Sequence, residues 1–447
     1  MVVVASHVCI VTETYPPEIN GVASTLAHLA SGMRERGHIV SLVRPRQPSI
    51  DVPGRREPRT LRVGGMRLPG YKGLRIGFPA GAALGTVWSR SRPDAVYVAT
   101  EGPLGWSAAR AGAALGIPVY SGFHTNFDRY MQHYGAGWLR RPIAAYLRHF
   151  HNATAGTLVS TPRLRDELAA AGFERLGVLG RGVDGRRFDP ARRSAALRAT
   201  WGASDGDLVV LYVGRLAPEK NVELAATAYR AMQKARGGGL RFVVVGDGPL
   251  GAALAHAYPD LLFCGFRTGE DLAVHYASAD VFLFPSETET FGNVTLEAMA
   301  SGLAVVAFDY AAARVHIENG ITGALVQPGD ARGFVAAAVA LVRAPQALPA
   351  MRRRARAAME AVEWSRVVER FEELLLGRAG REEDERGEQR ALGSSGIVSR
   401  RRGGGCGEET RDLRLHDARS CLDAGAAEAT LPVGEDASLL RRSVLPG

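Results

Sequence analysis

The chain has 447 residues, 46% of them hydrophobic and 23% charged, a composition that requires a folded core and a length that favours two or three domains over one. Four cysteines, Cys9, Cys264, Cys406 and Cys421, sit at no metal-ligand spacing; this argues against a zinc motif or a disulfide framework and for a reducing cytoplasm. The formal charge of +9 is concentrated, with eleven Lys/Arg against three acids between Arg34 and Arg75. That field suits an anionic membrane surface, although an Arg-rich composition with no partner accounts for it equally well. No nucleic-acid recognition signature accompanies it, so nucleic acid is not an expected partner.

The opening run "MVVVASHVCIVTETYPPE" reads as a buried strand rather than a signal peptide, because it has no basic leader and its apolar stretch is interrupted by Ser6 and His7. Along the chain no run reaches the ~20 apolar residues that a membrane span needs. Short apolar runs then alternate with amphipathic stretches. "HVCIVT" is followed by a helix over Val22 to Arg36, then "HIVSLV", "DAVYVAT", a helix over Trp106 to Leu115, "IPVYSGFH" and "TLVSTP". After a polar, Arg-rich stretch between Gly180 and Ser204 the pattern restarts. It continues with "LVVLYVG", a helix over Val222 to Gln233, "LRFVVVG", "LLFCG", "DVFLFPS", a helix over Asn293 to Ser301, "LAVVAFD" and "GALVQPG". Continuous apolar runs separated by helices predict parallel strands buried on both faces, hence an α/β fold with two doubly wound sheets. Residues 1–195 form the first domain and 196–347 the second; 348–376 is a helical segment crossing back to the first, and 377–447 is a low-complexity tail expected to be disordered. Met351, Trp364, Val368, Phe371 and Leu375 mark one packed face of that helical segment.

Ligands of doubly wound sheets bind at the carboxyl ends of the strands, so the loops there carry the chemistry. "TETYPPEINGVAST" follows the first strand, with Gly21 at the start of a helix whose amides and dipole favour anions. It lacks the three-glycine dinucleotide fingerprint, and Gly21 is equally readable as a tight-turn residue. "FHTNFDRY" places His124 just past its strand, where it is either a cleft residue or a structural hydrogen-bonder. In the following stretch Trp138, Leu139, Ile143, Tyr146, Leu147 and Phe150 mix with Arg140, Arg141 and Arg148. That order fits either a core helix or a membrane-surface helix.

In the second half, "GRLAPEKN" sets Arg215 and Lys220 where two cations can converge on a diphosphate, and a solvated surface pair is the bland alternative. In "VVVGDGP", Gly246 and Gly248 allow close backbone approach. "SETETFGNVTLEAMASG" carries Glu289 in a loop and Glu297 in the helix beyond it, with amides near Phe291, Gly292 and Asn293 at the helix start. One carboxylate would accept from sugar hydroxyls and the other from a ribose, with phosphate held between them. No HExxH, GxSxG or Walker A motif is present, so zinc proteolysis, serine hydrolysis and P-loop chemistry have no support.

Taken in order from Val8 to Leu376, these motifs resemble the retaining glycosyltransferases of family 4, whose GT-B architecture is two Rossmann-like domains facing across a cleft. The resemblance implies transfer of a hexose from a nucleoside-diphosphate donor with retention at the anomeric carbon. It implies Glu289 and His124 at the donor sugar, Glu297 on the ribose, and Arg215 and Lys220 on the diphosphate. Phe291, Gly292, Asn293 and Gly248 belong to donor-binding turns, Gly21 to the acceptor-side loop, and Phe266 and Arg267 in "CGFRTGEDL" to the base site. No metal, other cofactor or side-chain general base is expected: the acceptor proton passes to the departing diphosphate. The loops are most similar to those of GDP-mannose-dependent α-mannosyltransferases and sulfoquinovosyl-diacylglycerol synthases. This implies a mannosyl donor and a lipid or glycolipid acceptor, at the cytoplasmic face of a membrane. A UDP-sugar lipid glycosyltransferase is the alternative, and a UDP-sugar 2-epimerase-like isomerase is the competing class.

Overall fold

The computed structural model of the chain describes residues 5–18, 20–47, 58–67, 75–124 and 140–377. The Trp138 and Leu139 positions and the tail after Gly377 lie outside them. In the first half the apolar runs become β1 (His7–Val11), β2 (Ile39–Pro45), β3 (Arg59–Val63), a small antiparallel pair of β4 (Gly65–Arg67) and β5 (Arg75–Gly77), then β6 (Ala95–Val98), β7 (Val119–Phe123), β8 (Gly156–Val159) and β9 (Leu176–Val178). The main sheet is parallel, in the order β3-β2-β1-β6-β7-β8-β9. Val8 pairs with Val40 on one side and Ala95 on the other.

The pleat explains why "HVCIV" is apolar throughout. Successive side chains point to opposite faces, and both faces are covered. Val8 and Ile10 enter a core with Leu26, Leu29 and Met33 of the helix Gly21–Glu35. Cys9 and Val11 enter the opposite core with Leu84, Trp88 and Leu104. Neither β3 nor the helix Gly81–Arg90 was expected from the sequence. The strand reads "RTLRV", and its edge position leaves only Val63 fully buried, so no apolar run announces it.

The second half folds into β10 (Leu208–Val213), β11 (Leu240–Val245), β12 (Leu262–Gly265), β13 (Val281–Phe284), β14 (Ala304–Phe308) and β15 (Gly323–Val326). These are again parallel, ordered β12-β11-β10-β13-β14-β15. In both sheets the strand order reverses beside the first strand, the switch point where such folds bind ligands. The Arg-rich connector is anchored to the second sheet through Asp280, a buried carboxylate. It pairs with Arg193 at 3.0 Å, Arg198 at 3.1 Å and Arg352 at 2.7 Å and accepts the Val209 amide at 2.9 Å. Satisfying every lone pair is what makes such a buried charge tolerable.

The expected helical segment from Leu348 to Leu376 is two helices, Leu348–Met359 and Trp364–Leu376. The break lies where the backbone pairs elsewhere: the Val183 amide donates to the Val362 carbonyl at 2.9 Å, and Val183 bridges Glu363. The expected apolar face is accordingly divided. Met351 packs on the second core, whereas Val368, Phe371 and Leu375 pack on the first. Gly32 lets the helix Gly21–Glu35 approach the helix Trp364–Leu376, since a Cβ there would stand 2.4 Å from Val368. Arg36 closes the contact with a 2.5 Å bond to Glu372.

Candidate active site

The carboxyl ends of the two sheets enclose a cavity of about 1360 Å³. Among the residues singled out from the sequence, Gly21, His124, Arg215, Lys220, Gly248, Glu289, Phe291, Gly292 and Asn293 all line it. Glu297, Phe266 and Arg267 do not.

The wall from the second sheet is built around charge. Arg215 leaves the end of β10 and stands 3.9 Å from Glu219. Lys220, in the one-turn helix Pro218–Lys220, donates to Glu289 Oε1 at 2.5 Å, and Ser286 Oγ donates to the same oxygen at 2.8 Å. Arg215 and Lys220 therefore already carry carboxylate neighbours. Gly246 and Gly248 bring the loop after β11 against the loop after β10. A Cβ on Gly246 would meet the Gly214 carbonyl oxygen at 1.9 Å, and one on Gly248 would meet the Leu216 oxygen at 2.3 Å. Gly292 sits at φ +91° as N-cap of the helix Asn293–Ala300, a conformation that glycine adopts without a steric cost. Across the cleft stands the N-terminus of the helix Gly21–Glu35, where the Asn293 side-chain Nδ2 lies 3.8 Å from where a Gly21 Cβ would be. Two helix N-termini thus face the same space, and their amides and dipoles favour an anion there.

Glu297 is half-buried outside the cleft lining and accepts from the Tyr276 hydroxyl at 2.9 Å. Burial pushes its carboxyl up to about 7, against the opposing effects of the Tyr276 hydrogen bond and the Arg187 charge. A carboxyl whose folded value exceeds its ordinary 4.5 contributes stability that is complete below about 4.5 and is lost as pH rises through about 7. We therefore expect Glu297→Gln to match the parent at about pH 4 and to be more stable at about pH 8, by about 1–3 kcal/mol. Thermal melts at the two pH values check this; an equal offset at both would refute it.

Phe266 and Arg267 follow the edge strand β12. Phe266 is 53% exposed, and Arg267 donates to the Cys264 carbonyl at 3.0 Å and to Asp271 at 3.1 Å.

The wall from the first sheet holds a buried polar chain. His124 ends β7 with both ring nitrogens engaged: Nδ1 is 2.8 Å from Arg181 and Nε2 is 2.8 Å from the Tyr97 hydroxyl. Burial, then the charges of Arg181 and His151, hold its pKa well below the ordinary imidazole value. His124 itself also lines the cleft. Tyr97 was hidden inside an apolar strand run, and Arg181 inside a stretch read as a polar connector. Glu13, after β1, accepts the Gly77 amide at 3.1 Å, and its carboxyl is pushed up to about 7 by burial.

The helix Arg140–Asn152 closes this end. Its Leu147 and Phe150 are buried and Ile143 packs beside them, and Ile143, Tyr146 and Leu147 also line the cleft. Tyr146 is a large exposed residue of this helix, and its hydroxyl donates to the Glu101 carbonyl. Among the described residues no single helix is long and apolar enough to cross a membrane. No group of three or more His, Cys, Asp or Glu is placed there to hold a metal ion.

Comparison with known proteins fits this geometry. Residues 19–187 match the Glycosyltransferase Family 4 model and residues 207–344 the model described as Glycosyl transferases group 1. The chain is 35% identical over 327 residues to a GDP-mannose-dependent alpha-mannosyltransferase of Mycobacterium tuberculosis, covering 72% of this chain and 84% of that protein. It is 26% identical to an alpha-monoglucosyldiacylglycerol synthase of Streptococcus pneumoniae, covering 66% and 69%. The solved structure of Anabaena Alr3699/HepE, in complex with UDP and glucose, superposes with a TM-score of 0.66 at 18% identity, covering 82% of this chain and 98% of that one. With one model matched on each sheet and the mannosyltransferase aligned across both, the chain belongs to glycosyltransferase family 4, has the GT-B fold and is a hexosyltransferase.

Proposed function

We propose that the enzyme transfers mannose from GDP-mannose, with retention, onto a lipid or glycolipid acceptor at an anionic membrane surface. The observation that carries the donor class is the cleft wall itself. Arg215, Lys220 and two helix N-termini converge on one space, the arrangement a diphosphate requires. In this reading Glu289 accepts hydroxyls of the donor sugar and Glu297 those of the ribose, while Phe291, Gly292, Asn293 and Gly248 offer backbone to the phosphates. Phe266 and Arg267 stand at the base, and Gly21 borders the acceptor. The bond from the anomeric carbon to the phosphate oxygen breaks with its electron pair left on the diphosphate. The acceptor oxygen bonds to that carbon, and its proton passes to the diphosphate. Neither a metal ion nor a side-chain base is assigned. GDP-mannose is favoured by the mannosyltransferase relative and a lipid acceptor by the monoglucosyldiacylglycerol synthase, whose name also favours the second reading, a lipid glucosyltransferase.

Thermal-shift measurement against GDP-, UDP- and ADP-sugars discriminates the donors, since a ligand raises the melting temperature according to its occupancy. GDP-mannose should give the largest shift; a larger shift with a UDP-sugar would replace it. Vesicles containing anionic lipid should bind the protein at low salt, and absence of binding there would remove the membrane surface from the account.

A further inference from the structure

We infer that Arg181 binds an oxyanion of the nucleotide-sugar donor, making it a third cation of the donor site, supplied by the first sheet. The inference rests on the reading of the cleft as a nucleotide-sugar site. Arg181 follows β9, lines the cleft and is only 6% exposed. Its guanidinium is held in place from behind. One terminal nitrogen donates to the carbonyls of Leu179 at 3.2 Å and Gly180 at 3.1 Å, and the other lies 2.8 Å from His124 Nδ1. These bonds use three of the five N–H groups that the fork offers.

His124 must accept at Nδ1, because an arginine has nothing but protons to offer. The network therefore assigns the remaining ring proton to Nε2, which donates to Tyr97. The site is built to keep this chain in place. A Cβ on Gly122 would lie 2.2 Å from the Tyr97 hydroxyl and 2.4 Å from His124 Nε2, and Phe371 packs edge-on against Tyr97 at 5.0 Å.

Charge balance points to the ligand. On the opposite wall, Lys220 is paired with Glu289, Arg215 stands beside Glu219 and Asp247 also lines the cavity, so the two cations there already face carboxylates. Arg181 has no carboxylate ion-pair partner among the described residues; burial lowers its pKa, and the neighbouring group that opposes this is Tyr97. A buried cation without a counter-charge is costly, and an incoming anion removes that cost. As the sugar–phosphate bond breaks, its electron pair stays on the diphosphate and the charge there grows. Arg181 supplies positive charge that the facing wall has already neutralised within itself. A guanidinium suits the task because its planar fork matches a phosphoryl or carboxylate edge.

Calorimetry on the full chain tests this with GDP, UDP and UDP-glucuronate as probes, comparing the parent with Arg181→Met and Arg181→Lys. Arg181→Met should weaken binding of the preferred nucleoside diphosphate by about 10- to 100-fold. Arg181→Lys should recover part of it, and melting temperatures should show that both variants are folded. A loss seen only with UDP-glucuronate, and not with either diphosphate, would keep the oxyanion site and assign it to an acid group on the sugar. Unchanged binding of all three probes in a folded Arg181→Met would overturn the inference and leave Arg181 a support for His124. A parent that binds no probe would instead overturn the donor reading beneath it.

Discussion

Lys220→Met should lower kcat by about two to three orders of magnitude, the cost of removing one preorganised group from a developing negative charge. The ammonium stands at 2.5 Å from Glu289 and within 3.3 Å of Ser286 and the Thr288 carbonyl, so it is fixed before any ligand arrives. Both side chains of the pair are 17% exposed, so removing the lysine also leaves a partly buried carboxylate without its cation, at a cost of about 1–3 kcal/mol in stability. Two effects are thus superimposed, and the double variant Lys220→Met/Glu289→Gln separates them. It removes both charges and should recover most of the melting temperature while remaining as inactive as the single variant. Recovery of turnover together with stability would show that the lysine acts only as a partner of Glu289.

Gly246→Ala should destabilise the second domain more than any surface change in the chain, by about 4 kcal/mol or more. Two independent costs coincide at this residue. Its φ is +146°, where L side chains are strained, and a Cβ would lie 1.9 Å from the Gly214 carbonyl oxygen. That contact involves backbone on both sides, so no side chain can move to relieve it. The loops it separates carry Arg215 and Gly248, and a shift there moves the cleft wall as well. Gly237→Ala provides the comparison. It has positive φ, +83°, but nothing within 4 Å of its Cβ, so backbone strain of about 1 kcal/mol is all it should lose. Differential scanning fluorimetry should place Gly246→Ala about 10 °C or more below the parent and Gly237→Ala only a few degrees below. Similar melting temperatures for the two would mean that the loops after β10 and β11 are not packed as described.

The parts of the fold that were legible in the sequence are those where burial on both faces leaves only one solution. "LVVLYV" and "LRFVVV" must be parallel strands because every side chain needs a core, and β10 and β11 pair along their whole length. The loops after them then fall at the carboxyl ends, which is why Arg215, Lys220, Gly248 and Glu289 could be placed on one cleft from spacing alone. Legibility failed where a residue's meaning depends on a partner distant in the chain. Tyr97 looks like any aromatic in a buried strand until His124 and Arg181 are brought to it across 27 and 57 residues measured from His124. The cue available was glycine at 122, two residues before a histidine at a strand end, where a side chain would have filled the space that the tyrosine hydroxyl occupies. The break between the last two helices was hidden for the same reason, since it is imposed by Val183 rather than by a proline or glycine. The helix Arg140–Asn152 was ambiguous in the sequence because an amphipathic face fits a core and a membrane surface equally. Its buried Leu147 and Phe150 resolve that ambiguity toward the core for those positions.

The most direct measurement of the central claim, hexose transfer from a nucleotide sugar through this cleft, is product formation by the purified full chain. GDP-mannose labelled in the sugar would be supplied with anionic vesicles containing a neutral glycolipid, and label in the lipid fraction, its anomeric configuration and released GDP would be followed together. The account predicts one GDP per mannose transferred, an α-linked product, and loss of about two to three orders of magnitude in rate with Lys220→Met or Glu289→Ala. Release of GDP with no labelled lipid, or full-rate transfer by a folded Glu289→Ala variant, would contradict it.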